Sequence, residues 1–141
     1  MPNARILVVE DEAIVALDIT ERLEAMNYAV AAVVATGEQA IAECGALEVD
    51  VVLMDIRLDG EMDGIQAAAE IRRRFDLPIV YLTANTDDRT TERAIHTEPF
   101  GYILKPFEGR ELRTVIEMAL YKHRTERKLK EQGRWLAPRT A

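Results

Sequence analysis

Apolar residues in this chain alternate between short unbroken runs and helical stripes. Arg5 to Val9, Ala29 to Ala35, Val49 to Asp55, Pro78 to Thr83 and Gly101 to Lys105 are short runs bounded by polar or turn residues. Such runs read as buried strands of a parallel sheet. Helical spacing fills the intervals. The first helix is expected over Ala13 to Met26, with Ile14, Leu17 and Leu23 inward. The second starts at Thr36 or Gly37 and runs to about Cys44, with Gly45 as its stop. The third runs from Gly64 to Phe75 behind an Asp63 N-cap, with Ile65, Ala68, Ala69 and Ile71 inward. Its arginine triplet, Arg72 to Arg74, reads as solvated C-terminal charge.

The fourth helix, Thr86 to Thr97, is polar and closed by Pro99. The fifth runs from Glu108 to about Gln132, where Leu112, Val115, Ile116, Ala119 and Leu120 form the stripe of a packed helix. Gly133 is expected to break it before a tail at Trp135 to Pro138. The strict strand–helix alternation predicts an α/β fold: a doubly wound, five-stranded parallel sheet of order 2-1-3-4-5, flavodoxin-like, with right-handed crossovers. The domain is placed at residues 1–122, and residues 123–141 are read as an extension of the last helix and a tail or linker.

Composition narrows the class. With 141 residues, 48% hydrophobic and 30% charged, the chain suits one ordinary globular domain. No apolar run approaches a membrane span, and Met1 to Arg5 lead straight into a strand, leaving no room for a signal peptide. The single cysteine, Cys44, rules out an intrachain disulfide, argues against a zinc site and reads as a small helix residue. A cytoplasmic protein without membrane contact is expected. Residues 121–141 hold seven Lys or Arg against two Glu, a net of +5, so residues 1–120 carry −12 of the total −7. So acidic a body disfavours direct nucleic-acid binding.

Chemistry gathers at the strand ends. The first strand ends in Glu10-Asp11, the third in Asp55, the fourth in Thr83 and the fifth in Lys105. In an open α/β sheet, ligands bind outside the carboxyl ends of the strands. Any one of these residues alone is accounted for by turn, capping or surface chemistry. Together they would place three carboxylates, a hydroxyl and an ammonium at one edge. Crowded carboxylates resist ionisation unless a cation joins them, and oxygen ligands of this kind suit Mg²⁺. Such a site is built for phosphoryl transfer to the central aspartate.

The segments Val8-Val9-Glu10-Asp11, Leu53-Met54-Asp55, Leu82-Thr83-Ala84 and Gly101-Tyr102-Ile103-Leu104-Lys105-Pro106-Phe107 resemble the receiver domains of two-component response regulators, chemotaxis-regulator-like. The match runs from residue 4 to about 122. The resemblance implies that Asp55 accepts a phosphoryl group from a phosphohistidine on a sensor histidine kinase or phosphotransfer protein. It implies Mg²⁺, with Mn²⁺ as a substitute, bound by Asp11, Asp55 and the Arg57 backbone carbonyl, with Glu10 holding a coordinated water. Lys105 would pair with the phosphate, Thr83 would hydrogen-bond it, and Tyr102 occupies the aromatic switch position. Ala84 matches a small residue that leaves the phosphate reachable. Two departures stand out: Glu10-Asp11 where Asp-Asp is also common, and a Leu58 to Gly64 loop one residue longer than the usual form. The extra acids of that loop, Asp59 and Glu61, are read as solvated.

Other classes fit less well. Haloacid-dehalogenase-type phosphohydrolases carry a second Asp two residues after the nucleophile, where this chain has Arg57. A flavin module of similar topology needs a phosphate-cradling loop after the first strand, and Glu10-Asp11-Glu12 has the wrong charge for it. An interaction domain independent of phosphorylation would not need the whole site. A fragment of a larger sensor or hybrid kinase stays open, as does a homodimer. The face of the fourth helix, fifth strand and fifth helix is expected to carry the output and any such dimer. His123 is read as a surface or interface residue. The Lys105–Pro106 bond is expected to be cis, turning the ammonium back toward the site.

Overall fold

The computed structural model describes residues 3–58, 60–84 and 88–140, with residue 88 and residues 133–140 described by their backbone alone. Strands β1 (Arg5–Val9), β2 (Ala29–Val34), β3 (Val51–Asp55), β4 (Ile79–Thr83) and β5 (Gly101–Leu104) alternate with helices α1 (Ala13–Ala25), α2 (Gly37–Ala46), α3 (Gly64–Phe75), α4 (Asp88–His96) and α5 (Gly109–Thr140). The strands form one parallel sheet in the order β2-β1-β3-β4-β5, as the alternation predicts.

Successive strand side chains point to opposite faces, and the apolar runs therefore divide into two cores. Leu7, Val9, Val52, Met54, Ile79 and Tyr81 face α2, α3 and the buried Ala94 of α4. Ile6, Val8, Val51, Leu53, Val80, Leu82 and Ile103 face α1 and α5. The register pairs Leu7 with Val52 and Val9 with Met54, so each core runs without interruption across the central strands.

The helices correct several expectations. In α1 the buried stripe is Ala16, Ile19 and Leu23, while Ile14 is 85% and Leu17 58% exposed. Small Ala16 lets the helix settle close to the sheet, and the larger Leu17 is left on the outer side. In α3 the inward residues include Ala67 and not Ala69, because Ala67 packs against Gly37 of α2. Gly45 does not stop α2, which runs on to Ala46; a Cβ there would lie 3.4 Å from the Phe75 ring, so the glycine position meets α3. The expected start of the fourth helix at Thr86 lies outside the described residues. Gly133 does not break α5, which continues to Thr140. An interior glycine costs about 1 kcal/mol relative to alanine, too little to end a long helix by itself.

Two charged expectations also change. Arg72 is not solvated: its guanidinium stands 4.9 Å from the centroid of the Phe100 ring, and only 18% of its side chain is exposed. His123 is buried rather than at the surface, and it prolongs the α5 stripe of Leu112, Ile116 and Ala119. The stripe therefore reaches past residue 122, where the sequence had suggested the domain's end.

At β5, backbone and helix come very close. A Cβ on Gly101 would lie 2.4 Å from Val115 Cγ1 of α5. Gly101→Ala is therefore expected to lower stability in urea by about 1–3 kcal/mol through overpacking. Adding Val115→Ala should recover part of the loss. A single variant as stable as the parent would contradict this packing.

Candidate functional site

Each strand-end residue is delivered by local structure. Glu10 follows β1, and its N–H donates to Val34 O at 2.9 Å, fixing the turn out of the strand. Asp55 closes β3 in register with Leu82 of β4, and the next residue, Ile56, donates its N–H to Leu82 O at 3.2 Å. Thr83 closes β4, and its carbonyl accepts the Lys105 N–H at 2.9 Å. The Lys105–Pro106 bond is cis, as expected.

The loop after Asp55 is held from below. Gly64, the first residue of α3, donates its N–H to Ile56 O at 2.8 Å, and a Cβ there would sit 2.0 Å from the Asp55 carbonyl oxygen. No other residue fits without displacing the strand end. Asp63 caps α3 as expected: its Oδ1 accepts the Gln66 N–H at 2.8 Å, and Gln66 Oε1 accepts the Asp63 N–H at 2.9 Å. Its second oxygen accepts from Arg93 Nη2 of α4 at 2.9 Å, a link to which no sequence feature pointed.

The structure brings Glu10, Asp11, Asp55, Thr83 and Lys105 together. One carboxylate oxygen from each of Glu10, Asp11 and Asp55 lies within 4.8 Å of the others. Lys105 Nζ donates to Glu10 Oε1 at 2.7 Å and to Asp55 Oδ2 at 2.9 Å. Asp55 Oδ1 accepts the Arg57 N–H at 3.0 Å, so both oxygens of this carboxylate are engaged. Glu10 Oε2 accepts the Glu12 N–H at 3.2 Å. Glu10, Asp55 and Thr83 are buried, whereas Asp11 stands half-exposed at the rim. Asp11, Glu12, Asp55, Arg57, Thr83, Ala84 and Lys105 line an open cavity of about 470 Å³.

Burial, followed by the neighbouring Asp55 carboxylate, pushes the Glu10 carboxyl up to about 7, against the opposing pull of Lys105 and the Glu12 N–H. Burial alone would push the Lys105 ammonium down. Its bonds and charge interactions with Glu10 and Asp55 outweigh that, and its pKa is raised. Three carboxylates around one ammonium leave a net negative pocket whose least solvated acid holds its proton unusually well.

Tyr102 is half-buried in β5 and meets Tyr81 edge-on, ring centroids 6.5 Å apart. Tyr81 in turn shares a 2.6 Å hydrogen bond with Thr97 just beyond α4. Glu61 is exposed, in keeping with a solvated loop, and Asp59 lies outside the described residues.

The comparisons with known proteins give this arrangement its class. Residues 6–117 match the family described as the response regulator receiver domain, and the chain belongs to that family. It is 34% identical over 120 residues to the transcriptional regulatory protein PdtaR of Mycobacterium tuberculosis, covering 85% of this chain and 58% of that protein. The signal receiver domain of a modulated diguanylate cyclase from Desulfovibrio desulfuricans G20 superposes with a TM-score of 0.85 at 36% identity, covering 88% of this chain and 98% of that one. The receiver domain of the sensor histidine kinase PA1611 from Pseudomonas aeruginosa PAO1, solved with magnesium in its active-site cleft, superposes with a TM-score of 0.77 at 32% identity, covering 84% and 98%. The chain spans about half the length of the curated relatives it matches. No described helix is long and apolar enough to cross a membrane.

The raised Glu10 pKa generates a pH dependence. Unfolded, Glu10 titrates near 4.5, and folded near 7, so the folded state holds this proton more tightly between those values. The stability it contributes is complete below the unfolded pKa and is lost as pH rises through the folded one. Urea unfolding of metal-free protein across this range should show that loss, and Glu10→Gln should lack it. Parallel profiles for the two proteins would contradict the assignment.

Proposed function

We propose that this chain is the phosphoacceptor of a two-component phosphorelay and that Asp55 is the residue phosphorylated. The observation that carries this reading is the pair of 2.7 and 2.9 Å contacts by which one ammonium, Lys105, bridges Glu10 and Asp55 at the floor of an open pocket. The donor is a phosphohistidine of a sensor histidine kinase or a phosphotransfer protein. An Asp55 oxygen attacks phosphorus, the P–N bond breaks, the imidazole leaves with the electron pair, and an acyl phosphate forms.

The donor set fits a hard divalent cation, because three carboxylate oxygens within 4.8 Å face a single ammonium. Asp11, Asp55 and the Arg57 carbonyl would hold Mg²⁺, with Glu10 acting through a coordinated water. When bound, the ion supplies charge neutralisation for the phosphoryl oxygens and the incoming donor. Mn²⁺ has the same ligand preference and would substitute.

The chain's own groups do the remainder. Lys105 exchanges its contact with Asp55 for a phosphoryl oxygen. Thr83, held at the end of β4, turns its hydroxyl to the same group, and Ala84 beside it leaves the approach open. Tyr102 then follows Thr83 inward and α4 moves with it. Among the described residues of α4 only Ala94 is buried, so that helix is weakly anchored and suited to switching. The α4–β5–α5 face carries the output and would be the surface for any homodimer. The module acts in the cytoplasm, where kinases of this class place their phosphohistidine, and its own chemistry is limited to gaining and losing the phosphoryl group.

Incubation with acetyl phosphate and Mg²⁺, followed by mass mapping, should place the adduct on Asp55 and none on Asp55→Ala. Amide exchange should then change across residues 88–120 in the parent alone. An adduct elsewhere, or one undiminished in the variant, would refute the phosphoacceptor assignment. Exchange altered only around Asp55 would refute the output face.

A further inference from the structure

A second polar cluster lies far from the phosphoacceptor site, where α5 passes the amino edge of the sheet. His123 is buried to 9% exposure, with Nε2 2.7 Å from the Asp76 carbonyl oxygen and 3.8 Å from Asp76 Oδ2. Asp76 is the C-cap of α3, in the left-handed region at φ 51°. Lys130, two turns further along α5, stands 3.8 Å from the other Asp76 oxygen. The His123 ring meets Phe100 edge-on at 5.6 Å. Phe100 is also approached by the Arg72 guanidinium at 4.9 Å and the Lys122 ammonium at 5.4 Å. Arg72 Nη1 is buried without a hydrogen bond among the described residues, so the face of that ring is its principal compensation.

Phe100 belongs to the segment joining α4 to β5, and its N–H donates to Ile79 O at 2.8 Å. The cluster therefore ties three things together: the end of α3, the segment between α4 and β5, and the part of α5 that leaves the domain. Under that part of α5 the packing is open. A cavity of about 430 Å³ lies beside it, lined by Glu48, Asp50, Arg124 and Arg127 together with the apolar Leu77 and Leu120. A helix over a gap of mixed lining gets less direction from apolar packing there than over the continuous core.

We propose that Asp76, Phe100 and His123 form a clamp that fixes the direction in which α5 leaves the domain and makes that direction follow the α4–β5 segment. The first half stands on the contacts above. The second rests on the phosphoacceptor reading, because it supposes that α4 and β5 move when Asp55 is modified. The clamp would pass such a movement from Phe100 to His123 and so into the basic helix beyond, for whatever segment or partner that helix engages.

Spin labels at Ala42→Cys on exposed α2 and Lys128→Cys on α5, in the full chain with Cys44→Ala, report the direction of the helix as a distance distribution. The parent should give one narrow peak. His123→Ala should broaden it, and His123→Gln, which keeps a donor for the Asp76 carbonyl, should restore it. Protected sheet amides check that each variant is folded. Should His123→Ala fail that check, Phe100→Leu is read on the same criterion. A narrow, unmoved peak in a folded clamp variant overturns the clamp.

Addition of Mg²⁺ and beryllofluoride should shift the parent peak, leave Asp55→Ala unmoved and leave the clamp variants without a coherent shift. A parent that takes up the mimic with no shift overturns the responsive half alone. A parent that takes up none overturns the phosphoacceptor reading and the responsive half with it, while the unliganded distributions still decide the clamp.

Discussion

Two carboxylates, Glu10 and Asp55, are buried within reach of one ammonium, and much of the rest of the fold serves to keep them there. Buried charge is costly unless paired, and removing one partner of such a pair typically costs about 3–5 kcal/mol. Lys105 meets both acids at once, yet Asp11 at the rim brings the carboxylates to three. The imbalance appears in Glu10, whose carboxyl is pushed up to about 7 by burial and by Asp55. A pocket left short of positive charge fits the divalent ion and phosphoryl group proposed above. The neighbouring helices explain how the acids stay aligned. Gly64 packs on the Asp55 carbonyl, and Asp63 both caps α3 and accepts from Arg93 of α4, so the strand end, the loop and the weakly packed helix share one network.

Much of this was legible in the sequence because apolar runs with polar ends define strands and their carboxyl edge together. The five strands, their order, the Asp63 cap and the convergence of Glu10, Asp11, Asp55, Thr83 and Lys105 all follow from that pattern. Helix phase was less legible. Ile14 and Leu17 are apolar and still lie outside, since the small Ala16 sets the approach of α1 and hydrophobicity alone does not say which side of a helix with two apolar sides is buried. The pattern marks Gly45 as a helix stop and Gly101 as a strand residue, and it does not reveal that both are close helix contacts.

Charged residues misled where their neighbours come from distant parts of the chain. Arg72 looks solvated beside Arg73 and Arg74, but it faces Phe100, 28 positions along. His123 looks like part of a basic surface, but its partners are Asp76 and Phe100. Neither pairing leaves a local periodic signal. The buried stripe of α5 reaches His123, one residue past the boundary read at 122, because a histidine extends no obvious apolar stripe.

If a divalent cation completes the acidic cluster, Mg²⁺ must be linked to unfolding. A ligand that binds only the folded state raises stability with its concentration. At constant ionic strength the urea midpoint of the full chain should climb with Mg²⁺, Asp11→Ala should show little or no climb, and Lys105→Met, relieved of the competing ammonium, should respond at lower Mg²⁺ than the parent. A parent midpoint indifferent to Mg²⁺, or an Asp11→Ala protein that responds as the parent does, would contradict the account.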